Sequence, residues 1–171
     1  KFLKNLKSEK LINIYEIFEK PLIKILAFME IEGVEIDSKF LTSLSKKFEK
    51  KILTLEKDIF KISKKEFNIG SPKQLGEIIY NDLKIAGLKK TKKGGFATSA
   101  SVLEDLAFKG NKFPKLILDW RQLSKLKNTY SDALPEHVNP ITKRVHTSFL
   151  LAATTTGRLA SSDPNLQNIP I

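Results

Sequence analysis

A long amphipathic helix constrains the fold more than any other feature of this sequence. Apolar residues recur every three or four positions over about 28 residues, which predicts a helix about 40 Å long. The members of this apolar stripe are Phe40, Leu44, Phe48, Ile52, Leu55, Ile59 and Ile62. Because one apolar face on so long a helix has to be covered, we expect an antiparallel helical partner.

The last helical pattern in the chain is the predicted partner. It begins at Pro114, ends near Pro135 and has an apolar face at helical spacing. That face consists of Leu116, Trp120, Leu123, Leu126, Tyr130 and Leu134. A separate polar face, at spacings of four, three and four residues, consists of Arg121, Lys125, Asn128 and Asp132. We therefore predict a mainly α fold with long antiparallel helices.

An earlier helical pattern covers residues 10–32. It contains Pro21, where we expect a kink or a break, and Gly33 ends it. Its apolar stripe consists of Leu11, Ile14, Phe18, Leu22, Ile25 and Met29. An extended link at residues 34–36 is predicted to lead into the long helix.

Shorter elements complete the pattern. Ser71 and Gln74 form a predicted capping box for a short helix that ends at Gly87. Residues 145–155 are rich in β-branched and aromatic residues, which predicts a strand and hence one short β element in the fold. From Gly157 onward no period remains, so we expect an irregular tail.

The charge of the chain points to a polyanionic partner. Thirty Lys and Arg against nineteen Asp and Glu give a net charge of +11, which favours nucleic acid through counterion release. Solvated helix faces would account for the same charge, so both interpretations stay open. No long uncharged apolar run is present, so no membrane partner is expected, and the absence of Cys excludes disulfides.

The tail gives the most specific signal. Residues 154–171, TTTGRLASSDPNLQNIPI, closely resemble the TGRLSSxDPNLQNIP sequence of family A DNA polymerases, the family of bacterial DNA polymerase I. The segments LDWRQLSKLKNTYSDALP, FNIGSPKQLGEIIY, KKTKKGG and NPITKRVHTSF also occur in that family's order and spacing. The resemblance runs from about Ile14 to the end.

The resemblance implies an organisation and an activity. It implies a helical lead-in at residues 1–33, a thumb subdomain at 34–137 and the truncated start of the palm at 138–171. Both ends then look cut from a longer DNA-directed DNA polymerase of the cytoplasm and nucleoid, active in replication and repair. In the family, the metal-binding aspartates and the nucleotide-binding fingers would follow Ile171. We therefore expect Mg²⁺ and deoxynucleotides only in the complete enzyme, and no cofactor, metal site, catalytic residue or activity in this chain alone.

The resemblance also implies how the chain holds primer-template DNA. Every base pair offers an acceptor in the minor groove, and Arg, Asn and Gln side chains can donate to it whatever the sequence. We expect one ordered loop of the tail to supply these donors, namely Arg158, Asn165, Gln167 and Asn168. Phosphate contacts are expected from Arg121, Lys125 and Lys127 on the last thumb helix, and from Lys89, Lys90, Lys92 and Lys93 in a mobile basic loop at the thumb tip.

Simpler roles for these residues stay open. The amides of the tail could satisfy only the backbone of their own loop, and the lysines could be solvated surface charges. Asp163 before Pro164 is predicted to form a turn rather than bind a metal, and His137 and His146 are predicted to be structural. Ala160 stands where the family usually has Ser, which puts one small polar contact in doubt.

Two further classes of function compete with the leading one. The alternative is a free-standing basic helical module that binds nucleic acid. A purely structural helical interaction module is the third class, but it would leave the charge and the tail unexplained.

Overall fold

The computed structural model describes residues 2–85 and 95–169. The chain divides into two compact units, which we call the helical unit, residues 40–132, and the hairpin unit, residues 1–39 together with 133–171. The helical unit contains α4 (Ser38–Ser63, beginning two residues before it), α5 (Pro72–Glu77), π2 (Ile78–Asp82), α6 (Ala100–Phe108), α7 (Lys112–Lys125) and π3 (Leu126–Asp132). Here π denotes a helical segment with the wider π hydrogen-bonding pattern.

Two side-chain hydrogen bonds fix how α4 runs past α7 and π3. Near the start of α4, the Ser45 hydroxyl donates to the Asp132 carboxylate. Further along α4, Glu56 Oε1 accepts from Trp120 Nε1 at 3.0 Å. Because the partner numbers fall as the α4 numbers rise, the helices are antiparallel. The prediction of a mainly α fold with long antiparallel helices is confirmed.

The core of the helical unit lies against the C-terminal half of α4. Its buried members are Ile59, Ile69, Leu75, Ile78, Ile79, Leu103, Leu106, Phe113, Leu116 and Ile117. On α4 the predicted apolar stripe is fully buried only at Ile59, and at the other end of the stripe Phe40 is 58% exposed. The periodicity therefore predicted the helix correctly but not the extent of its burial.

The start of α5 differs in one detail from the predicted capping box. Ser71 is the N-cap, and its hydroxyl accepts from the Gln74 N–H at 3.4 Å. The Gln74 side chain, however, accepts from the Asn68 N–H at 2.7 Å, because the Ser71 N–H already donates to the Asn68 carbonyl. The predicted helix end at Gly87 lies outside the described residues, and the helical segment that includes α5 stops at Asp82.

The hairpin unit combines helices with a two-stranded sheet. It contains α1 (Phe2–Ser8), α2 (Ile12–Ile14), π1 (Tyr15–Glu19), α3 (Lys20–Glu32), α8 (Ala133–Glu136), β1 (Ser148–Leu150) and β2 (Ala160–Ser162). The interruption expected at Pro21 takes the form of π1, and Pro21 itself lies in the first turn of α3. Proline is tolerated there because a first-turn N–H has no partner within the helix. The apolar stripe of residues 10–32 is exposed within the described structure, and Leu26 is buried instead.

The β element is shorter and more regular than predicted. The strand expected at residues 145–155 is confined to β1, since the chain turns at Leu151 and Ala152 has a φ of 55°. β1 pairs antiparallel with β2, with Ser148 opposite Ser162. The prediction that the tail is irregular from Gly157 onward was therefore wrong at β2, because three residues are too few for an alternating pattern to be visible.

Polar contacts connect the end of α3 to the segment before β1. Val34 and Val145 exchange two backbone hydrogen bonds of 2.8 Å. The two ring nitrogens of His146 bond the Glu30 carbonyl at 2.8 Å and the Thr142 hydroxyl at 2.7 Å. This engagement of both nitrogens gives His146 a structural role.

Gly33 makes this connection possible. Its φ of 68° and ψ of −179° lie in a region that only glycine adopts readily. A Cβ at Gly33 would lie 2.8 Å from His146 Cε1 and 3.0 Å from the Val145 carbonyl. Both the backbone conformation and the packing therefore require glycine.

We predict that Gly33→Ala destabilises the chain by at least about 2 kcal/mol, because it adds steric overlap to backbone strain. Gly110→Ala is the matched control, since Gly110 also has a positive φ, 88°, but has no atom within 4 Å of the added Cβ. We expect it to cost about 1 kcal/mol. Urea unfolding of both variants measures the difference. Equal losses would show that contact with His146 contributes nothing.

Candidate nucleic-acid interface

The donors of the tail lie on both sides of β2 rather than in one loop. Arg158 precedes β2, in the connection from β1, whereas Asn165, Gln167 and Asn168 follow β2. All four side chains belong to exposed residues. The expectation of a single donor loop was therefore wrong, and the hairpin is the element that relates the two groups.

The connection before β2 is held together around Thr154. The Thr154 hydroxyl donates to the Arg158 carbonyl at 2.9 Å, and the Thr154 carbonyl accepts from the Gly157 N–H at 3.3 Å. Gly157 has a φ of 72°, which turns the chain immediately before Arg158. These contacts use the backbone of Arg158 and leave its guanidinium exposed.

The segment after β2 forms the predicted turn. Asp163, with a φ of 56°, precedes Pro164 in this turn. The Asn165 Oδ1 atom accepts from the Gln167 N–H at 3.0 Å. Because this bond uses the carbonyl oxygen of the Asn165 amide, its NH₂ group is the part available to donate outward.

Two buried hydroxyl groups support this turn, and no sequence pattern predicted their role. Thr147 Oγ1 lies 2.9 Å from the Ser162 carbonyl and 2.7 Å from the Pro164 carbonyl. Ser161 Oγ accepts from the Leu166 N–H at 3.0 Å. Short polar residues within a strand or next to one are too common in proteins for the sequence alone to identify such contacts.

The predicted phosphate-binding residues of the last helix have different surroundings. Arg121 is half-buried, and its Nη1 donates to the Thr98 carbonyl at 2.6 Å. Burial lowers the pKa of Arg121, although a guanidinium stays charged at neutral pH. Lys125 is exposed. Lys89, Lys90, Lys92 and Lys93 lie outside the described residues.

Lys127 forms an ion pair that the spacing did not predict. Its Nζ lies 2.7 Å from Asp132 Oδ2, five residues further along. Residues five apart do not face each other on an α-helix, but π3 brings them together because its hydrogen bonds join such residues. The bond from Lys127, followed by the one from Ser45, lowers the pKa of the Asp132 carboxyl.

Two features are absent from the part of the chain that the structure describes. Residues 2–85 and 95–169 contain no group of three or more His, Cys, Asp or Glu residues that could hold a metal ion. Within the same residues, no helix combines the length and apolarity needed to cross a membrane.

The Asp132 carboxylate gives a pH-dependent prediction. Its pKa is lowered in the folded chain, so its contribution to stability is complete above the unfolded pKa, about 3.9, and is lost as the pH falls through the lower folded value. Asp132→Asn removes this contribution. The free energy of unfolding of the native chain should therefore exceed that of the variant at pH 6, and the gap should close below about pH 4. Urea titrations from pH 3 to 7 measure the gap, and a constant gap would contradict the role given to this charge.

Comparisons with known proteins agree with the sequence motifs. Residues 38–171 match the model of DNA polymerase family A. DNA polymerase I of Rhizobium leguminosarum is 53% identical over 161 residues, which cover 94% of this chain and 16% of that protein. The thermostable DNA polymerase I of Thermus thermophilus is 46% identical over 165 residues, covering 96% of this chain and 20% of that protein. This chain thus spans between a sixth and a fifth of the length of these relatives.

A solved structure extends the comparison to three dimensions. The POL domain of Pol1 from M. smegmatis, in complex with DNA primer-template and dNTP, superposes with a TM-score of 0.87 and 35% sequence identity. The match covers 99% of this chain and 30% of that one.

Proposed function

Because this chain belongs to DNA polymerase family A, we propose that it is the DNA-gripping part of a template-directed DNA polymerase. In this proposal residues 1–33 are the lead-in, residues 34–137 form the thumb, and residues 138–171 begin the palm. The observation that supports it most is the arrangement of exposed minor-groove donors on both sides of β2. The solved relative supports it too, since that polymerase domain was captured with primer-template DNA.

The donors flank β2 within a stretch of eleven residues, from Arg158 to Asn168, so they can reach different nucleotides of one duplex. We propose that Arg158 binds in the minor groove at the primer terminus and that Asn165, Gln167 and Asn168 bind primer-template nearby.

Donors of this kind suit an enzyme that copies any sequence. Purine N3 and pyrimidine O2 occupy similar positions in every correct pair, so an Arg or amide donor can bond whichever base is present. A mismatch displaces the acceptor and loses the bond. The contact thus tests the geometry of the pair rather than its identity.

The phosphate contacts of the thumb complete the proposed grip. Lys125 is exposed and can contact phosphate directly. Among the residues that the structure describes, Arg121 and Lys127 each bond one partner, which leaves further donors on each cation. Together with Lys89, Lys90, Lys92 and Lys93, these residues would give binding that is independent of sequence and weakens with salt.

We propose that the complete protein is a DNA-directed DNA polymerase that uses deoxynucleotides and Mg²⁺ at the bacterial nucleoid. The carboxylates described in this chain do not fit a metal site, so we derive no metal-assisted step from them. The resemblance assigns the metal-binding aspartates to segments that would follow Ile171.

This chain alone is therefore expected to extend no primer. Phosphoryl transfer of this kind relies on two metal ions held by carboxylates, and the described residues offer no such cluster. The assay supplies primer-template, Mg²⁺ and all four deoxynucleotides to the purified chain. Template-dependent extension, absent from a mock purification, would contradict this part of the proposal.

Arg158→Ala in the complete polymerase tests the minor-groove contact. A charge-assisted hydrogen bond of this kind contributes about 1.5 to 3 kcal/mol, so incorporation should slow by about 10- to 150-fold. Because the contact positions the reacting primer end, the rate should fall more than DNA affinity does. The loss should be similar for all four matched primer ends and much smaller on mismatched ends, as measured by single-turnover incorporation.

Two controls make this test specific. Lys24→Ala removes an exposed cation of α3, outside the tail, and should change the incorporation rate on neither matched nor mismatched primer ends. Arg158→Lys keeps the charge but not the planar fork and should recover only part of the loss. An equal loss on matched and mismatched ends would show that Arg158 acts as a general phosphate or scaffold residue.

Asn165 can be tested with variants that separate its two functions. Asn165→Asp keeps the oxygen that accepts from the Gln167 N–H but removes the NH₂ donors, whereas Asn165→Ala removes both. If the amide donates to DNA, the Asp variant should lose at least about 5-fold in incorporation rate, from a hydrogen bond of about 1 kcal/mol. If Asn165 only closes its own turn, the Asp variant will match the native enzyme and only the Ala variant will be slowed.

A further inference from the structure

Thr147 contacts both sides of the turn that leaves β2. It is only 6% exposed and immediately precedes β1. Its hydroxyl oxygen lies within hydrogen-bonding distance of two carbonyl oxygens, 2.9 Å from Ser162 and 2.7 Å from Pro164. These two residues flank Asp163, where the chain bends, so one hydroxyl group next to β1 contacts both sides of the bend.

A second buried hydroxyl group holds the far end of the same turn. Ser161 is 4% exposed, and its oxygen accepts from the Leu166 N–H at 3.0 Å. The turn needs such support because Asp163 has a φ of 56°, a conformation that costs free energy for a residue with a side chain. With both contacts in place, the segment that includes Asn165 has a fixed offset from β2.

We propose that Thr147 is a positioning residue, whose buried hydroxyl holds the turn so that Asn165 and Gln167 meet the same duplex as Arg158. This inference rests on the proposed function of those amides. Thr147 touches no DNA in this account. It acts by keeping the two donor groups, which lie before and after β2, at a separation that suits the duplex, so that binding spends no free energy on ordering the turn.

The substitution Thr147→Val tests this directly in the complete polymerase. Valine has nearly the shape of threonine but no hydroxyl, so the single O–H donor that the two carbonyl groups share is lost while the packing is kept. We expect single-turnover incorporation to fall by about 5- to 30-fold, the effect of losing such a bond. Thr147→Ser keeps the hydroxyl and should restore most of the rate. Thr155→Val removes an exposed hydroxyl from the loop between β1 and β2 and is the matched control, for which no loss of incorporation rate is expected.

A double-mutant cycle separates positioning from simple support of the fold. Thr147→Val is combined with Asn165→Ala and Gln167→Ala, and its effect is measured with and without the amides. If Thr147 acts through the amides, its effect should nearly vanish when they are absent. An undiminished effect, or a Thr147→Val enzyme as fast as the native one, would overturn the inference while leaving the proposed function intact.

The remaining outcomes are also informative. If the variant that lacks both amides incorporates nucleotides at the native rate, the proposed function of the turn fails, and the inference fails with it. If Thr147→Val does not fold, as judged by circular dichroism, Ser161→Ala makes the same test from the other end of the turn. Ser161→Ala should slow incorporation in the native background and have little further effect when both amides are already removed. A loss of rate that is the same in both backgrounds would overturn the proposal.

Discussion

The hydrogen-bonded pairing of β1 with β2 is the interaction on which the proposed site depends. Three residues pair on each strand, and every predicted minor-groove donor lies just before or just after β2. So short a hairpin needs support from outside its own ladder. The Glu30 carboxylate of α3 provides part of it by accepting from the Phe149 N–H at 2.6 Å, and the contacts of His146 and Gly33 hold the same segment.

The two units contribute different physical properties. The helical unit has a continuous apolar core, which keeps α4 and α7 side by side. At its surface, a hydrogen bond to the Thr98 carbonyl holds the Arg121 side chain in place. The hairpin unit depends more on polar contacts, and several of its apolar helix residues, among them Phe18 and Phe28, are exposed. The packed helices of the helical unit suit the proposed loose contact with phosphate. The hydrogen-bonded turns of the hairpin unit suit the proposed contacts that depend on the shape of a base pair.

The sequence predicted the features that depend on period or on a long irregular motif. Helical spacing located α4 and α7, and the match over residues 154–171 is the basis for the proposed roles of Arg158 and Asn165, which stay predictions. The sequence could not predict contacts between residues that are distant in the chain, such as those of Thr147 with Ser162 and Pro164. It also could not predict the change from α- to π-helix that brings Lys127 to Asp132. Burial of Phe40 was predicted wrongly because periodicity identifies an apolar face but not whether anything covers it.

The most direct test of the central claim changes an atom of the DNA rather than of the protein. A primer that ends in 3-deazaadenine lacks the minor-groove acceptor of its last base but pairs normally. If Arg158 donates to that acceptor, the native polymerase should extend this primer about 10- to 150-fold more slowly than the normal one. The Arg158→Ala polymerase should extend both primers at the same rate. Equal slowing of the two enzymes, or no slowing of the native one, would contradict the claim that this tail holds the primer terminus through the minor groove.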